Sequence, residues 1–135
     1  MLPDDKIPGS AADWLARARN DVAMAKAPLP EGAIYESLCF HAQQAAEKAI
    51  KALHKWHGLA FEFTHNIGHL LHRLERHGLQ VPEEIWEASD LTRFAVETRY
   101  PIPAELVTEE EYREAVKLAE RVLQWAASII ESPRQ

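Results

Sequence analysis

Residues 31–57 hold one unbroken helical pattern, and it limits the fold more than any other feature of the chain. At about 100° per residue, Ile34, Leu38, Ala42, Ala45, Ala49, Ala52, Leu53 and Trp56 share one side, and Tyr35, Cys39, Ala46 and Ile50 widen it. Glu36, Gln43, Gln44, Glu47, Lys48, Lys51 and Lys55 fall opposite. A helix with an apolar face made mostly of alanine invites another helix to approach closely, so the segment asks for helical neighbours. The opposite side reads as a solvated face, with Glu47 and Lys51 paired one turn apart. Gly58 then ends the pattern.

Four more segments carry the same period. Residues 11–27 follow Ser10, whose spacing to Asp13 resembles a capping box, and Pro28 and Pro30 close them. Residues 66–77 place Ile67, Leu70, Leu71 and Leu74 on one face, with Thr64 as the expected N-cap and Gly78 as the stop. Residues 82–98 open on Pro82, which suits a first helical turn. The last helix opens on the capping pair Thr108 and Glu111 and carries Tyr112, Ala115, Val116, Ala119, Val122, Leu123, Ala126, Ile129 and Ile130 on one stripe. No alternating strand pattern occurs. The expected fold class is all-α: an up-and-down antiparallel four-helix bundle with a short additional helix. Residues 11–131 read as one domain, with 1–10 as an N-terminal extension and 132–135 as a tail.

At 135 residues and a net charge of −6, the chain lacks the global positive field of a non-specific nucleic-acid binder, although a local basic patch remains compatible with it. Cys39 is the single cysteine, which rules out an intrachain disulfide framework and suits a reducing compartment. The first residues lack the basic and apolar regions of a signal peptide, and no run approaches the roughly 18 apolar residues of a membrane span. A cytoplasmic protein without membrane contact is expected.

Several residues bear on chemistry. His65, His69 and His72 recur at helical spacing, but neither a cysteine nor an HExxH pattern completes a ligand set, so no metal and no cofactor are expected. His54 and His57 lie where a protonated imidazole would suit the end of a helix dipole, and His41 borders the apolar stripe. Cys39 reads as an inert core thiol. Phe40 falls on the polar side of its helix, beside Gln44, Lys48 and Lys51, and these four are the expected interface residues. Between two helical patterns lies VETRYPIPAEL, where Arg99 and Tyr100 stand just before Pro101 and Pro103. The arginine offers a bidentate phosphate fork and the tyrosine a stacking face.

Four stretches, in order, resemble the HEPN domain family: SLCFHAQQAAEKAIKALHKWHG, FTHNIGHLL, LTRFAVETRYP and YREAVKLAERVLQWAASII. In the second, Asn66 stands where the family usually has aspartate. The resemblance implies a helical bundle that forms a homodimer or pairs with a minimal nucleotidyltransferase in a two-gene module, often a toxin–antitoxin system. Active members are metal-independent ribonucleases whose motif sets a histidine a few residues after an arginine. The histidine moves a proton while the arginine steadies charge on phosphate. Here the corresponding windows after Arg93 and Arg99 contain no histidine. The resemblance therefore implies a module that binds nucleotide, RNA or a protein partner through Arg99 and Tyr100, with Arg93 and His65 as further contacts. It leaves two alternatives: an atypical metal-independent ribonuclease toxin, and a structural dimerisation module.

Overall fold

The computed structural model describes residues 3, 6–95 and 106–132. Within them the chain is all-helical: α1 (Ala11–Ala25), α2 (Tyr35–Trp56), α3 (Ile67–Arg76), α4 (Glu83–Trp86) continuing as a 3-10 helix over Glu87–Phe94, and α5 (Glu109–Ile130). Local chemistry sets most of these ends. Ser10 Oγ accepts from the Asp13 amide, while the Asp13 carboxylate reaches back to the Gly9 N–H. Thr108 and Glu111 form a complete capping box at α5. At α3 the cap is Asn66, whose side chain accepts from the His69 amide. Thr64 stands two residues back and accepts from the Asn66 N–H instead. The tight 3-10 helix over Glu87–Phe94 takes the place of the α-helix expected there. Its sequence, EASDLTRF, holds Ser, Asp and Thr side chains that compete with the backbone for hydrogen bonds.

Direction along the bundle follows from the contacts. The start of α1 lies beside Trp56 at the far end of α2, with Trp14 stacked on Phe61 just beyond it, and Asp21 near its end meets His41 and Lys48 farther back along α2. Helix α5 begins beside the start of α2, where Tyr112 stacks on Tyr35 and donates to the Ala25 carbonyl, and it ends beside Trp56. Thus α1 and α2 are antiparallel, and α2 and α5 are parallel. Alanines 42, 45, 46, 49 and 52, all fully buried, form the surface that lets α1 and α5 close on α2. Leu15, Ile50, Leu53, Leu70, Leu71, Leu74, Leu91 and Val122 fill the remaining core. No helix among the described residues is long and apolar enough to cross a membrane.

One connection reshapes the polar side of the molecule. Gly58, at φ +72°, turns the chain sharply after α2, a conformation that costs other residues a Cβ clash. Residues 59–66 then run back along α2 without regular secondary structure. Helix α3 reverses again beneath them, and Gly68 brings it against the 3-10 helix, where a Cβ would lie 3.3 Å from Ser89 Oγ. The Ile67 amide donates to Thr92 Oγ1, which ties the two elements together.

Candidate functional site

The returning segment covers the polar side of α2. Gln43, Glu47 and Lys51, which the helical pattern assigns to a solvated face, are buried. The i, i+4 pair exists, but it is an interior one: Lys51 Nζ donates to Glu47 Oε2 at 3.1 Å. Glu47 Oε1 accepts from Gln43 Nε2 at 3.1 Å and from His65 Nδ1 at 2.8 Å, and Gln43 also donates to the His65 carbonyl. The Lys51 ammonium sits 4.7 Å from the Phe61 ring centroid. One buried carboxylate thus holds a lysine and a histidine from opposite sides. The His65 imidazole is more than half exposed and has its Nδ1 committed to Glu47, which leaves Nε2 available at the surface.

The other predicted interface residues lie along the same helix. Lys48 turns away from the segment and donates to Asp21 Oδ2 at 2.6 Å, with His41 Nδ1 on the other carboxylate oxygen at 3.0 Å. Gln44 donates to Gln43 Oε1 at 2.7 Å. Phe40 is half-buried and packs edge-on against His41. Lys48, Lys51 and Lys55, which share the polar side of α2 in the helical pattern, are therefore parted by tertiary contacts. Lys48 and Lys51 face carboxylates, and Lys55 alone of the three stays exposed and without an ion pair among the described residues.

Arg93 lies at the end of the 3-10 helix, next to Thr92 and so beside the start of α3. Its guanidinium is more than half exposed, reaches Glu111 Oε2 at 3.4 Å and covers the Phe94 ring. Hydrogen bonds from the Thr108 backbone and hydroxyl, then the charge of Arg93, hold the Glu111 carboxyl below its ordinary range. Arg99 and Tyr100 lie outside the described residues, as do Pro101 and Pro103.

The histidines part company. His65 precedes α3 and binds Glu47, His69 bonds Glu62 at 2.6 Å, and the His72 ring leans on Trp86. Among the described residues no group of three or more His, Cys, Asp or Glu side chains could hold a metal ion. His54 is buried, not a solvated dipole cation: its Nε2 donates to the Leu70 carbonyl at 2.8 Å, and burial lowers its pKa. Cys39 is fully buried, which pushes its thiol up to about 11 and away from reactivity.

Helical periodicity offered no reason to single out Phe61 and Phe63. In the structure they are among the most exposed large apolar side chains. The only local signal was two aromatics separated by one residue in the connection between helices.

This arrangement has relatives. Residues 11–130 match the HEPN domain family. The crystal structure of TT1696 from Thermus thermophilus is similar at 37% identity and a TM-score of 0.77, covering 89% of this chain and 98% of that one. ST0689, an archaeal HEPN homologue, is similar at 29% identity and a TM-score of 0.70, covering 90% and 98%. No curated protein matches.

Proposed function

We propose, from the premise that this chain belongs to the HEPN domain family, that it is a nucleotide- or RNA-binding module rather than a ribonuclease of the usual Arg-His kind. It acts as a homodimer or with a minimal nucleotidyltransferase in a toxin–antitoxin-like pair. The observation that carries this reading is a pairing of groups suited to phosphate, without the family's arginine–histidine spacing. Exposed Arg93 and the outward Nε2 of His65 belong to elements joined by the Ile67–Thr92 bond, and no histidine follows Arg93 or Arg99 at the motif distance. Arg99 and Tyr100 follow in the sequence just beyond Arg93 and supply a further cation and a stacking face.

The ribonuclease alternative keeps one observation in its favour. A histidine fixed by a buried carboxylate is oriented as a proton-transfer group should be. Both readings meet in one experiment. Labelled single-stranded RNA is incubated in chelator with the wild type, Arg99→Ala and His65→Ala, and both binding and cleavage are followed. RNA bound and left intact, with weaker binding in the variants, is the expected result. Cleavage that disappears in either variant would replace the binding reading with the enzymatic one. For the partner, co-expression with a nucleotidyltransferase encoded beside the chain is expected to yield a complex that survives purification. Separate elution of the two proteins would remove that part of the proposal.

A further inference from the structure

We infer that Phe63, backed edge-on by Phe61, forms a stacking platform for single-stranded RNA, with Lys55 as its phosphate contact. This deepens the nucleic-acid reading above and rests on it. Residues 59–66 are firmly tied down. Arg73 donates to the Ala60 carbonyl at 2.6 Å, Lys51 lies over Phe61, and His65 is held at both its ring and its carbonyl. Yet this anchored segment leaves Phe63 94% exposed. Exposing so much aromatic surface is unfavourable, and in an ordered segment it marks a surface that meets something else.

The geometry of the rings narrows the occupant. Trp14 stacks on Phe61 at 5.9 Å between centroids, and Phe61 meets Phe63 edge-on at 4.7 Å, so three aromatic rings run in series. Trp14, Phe61, Leu59 and Lys55 line a cleft of about 270 Å³, on the scale of one nucleoside and too small for a helix. The most exposed apolar side chain here is aromatic rather than aliphatic, and the face of the Phe63 ring fits the π-face of a base better than a peptide side chain.

Charge points the same way. Glu62, at the rim, is engaged by His69 at 2.6 Å and Arg73 at 3.3 Å, and Glu47 is matched by Lys51. The exposed Lys55 is thus a cation at the cleft with no ion pair among the described residues, on a chain whose net charge is −6. From the platform the backbone leads through His65 to the Thr92–Arg93 corner, so a strand stacked on Phe63 continues toward the groups already proposed to meet phosphate. Stacking reads base faces and not edges, so the platform tolerates any sequence.

Fluorescence anisotropy with a labelled oligouridylate of about 10 nucleotides tests this on the full chain. Phe63→Ala and Phe63→Leu are both expected to weaken binding by roughly 5- to 150-fold, because leucine restores apolar area but not a ring. Lys55→Glu should weaken it and lower the salt slope by about 1. Melting temperatures should not move, since Phe63 and Lys55 are exposed. Wild-type affinity in both Phe63 variants would overturn the platform while leaving the nucleic-acid reading intact. Absence of binding by the wild type at low salt would overturn both. A dimer that dissociates in Phe63→Ala with unchanged RNA affinity would assign the surface to a second copy of the chain and overturn the platform.

Discussion

Asp21 on α1 and Glu47 on α2 are equally hidden, each with 5% of its side chain exposed, and each binds one lysine and one histidine. Their surroundings differ. The partners of Asp21, Lys48 and His41, are 25% and 29% exposed; of the partners of Glu47, His65 is 58% exposed but Lys51 only 7%. If Asp21 is lost, its partners can turn to water. If Glu47 is lost, Lys51 stays trapped beneath Phe61 without a counter-charge. A buried carboxylate therefore matters according to where its cations can go, not only according to its own burial.

The largest expected effect tests that difference directly. Glu47→Ala should destabilise the fold by about 3–5 kcal/mol, the cost of stranding one member of a buried ion pair. Asp21→Ala should cost less, about 1–3 kcal/mol, because water relieves its partners. Urea unfolding of both variants checks the order, and equal losses would break the comparison. The double change Glu47→Leu with Lys51→Met should recover much of the loss, since an apolar pair leaves no charge behind.

A packing change on the opposite face of α2 sharpens the contrast. Ala49 has no exposed surface, and Ala49→Leu should cost about 1–3 kcal/mol through overpacking, with no dependence on salt or pH. Thermal unfolding at several salt concentrations would show it. The polar face, by contrast, should respond to pH. Burial lowers the His54 pKa from an ordinary 6.5, so the unfolded chain binds the proton more readily than the folded one. Its contribution is complete above 6.5 and is lost as pH falls through the lowered value. His54→Gln, which keeps a donor for the Leu70 carbonyl, should flatten the melting temperature's fall over that window. An unchanged slope would place the sensitivity elsewhere. The smallest effect belongs to Thr108→Ala, about 1 kcal/mol from the lost cap of α5, readable in the same melts.

Much of this molecule was legible in its sequence because the signals are local. The alanine stripe of α2, the caps at Ser10 and Thr108 and the stop at Gly58 act within a few residues, so an all-α fold follows from period and end chemistry alone. The burial of Cys39 follows from the same stripe. The HEPN match over residues 11–130 agrees with the four motifs that pointed to the family.

Which polar residues are wet was a different matter. A helical wheel ranks a side chain by its own helix and cannot see a connection that folds back over it. That connection, residues 59–66, turned Gln43, Glu47 and Lys51 into an interior network, drew His65 onto Glu47, and left Phe61 and Phe63 facing outward. Lys48, only about 60° around the helix from Lys51, instead reaches Asp21 on α1, so two neighbouring lysines end on different carboxylates. Charge and burial here depend on contacts between residues far apart in the chain. Helices and their apolar faces arise from neighbours along the chain; the places where the candidate binding groups meet solvent arise from how those helices and their connections assemble.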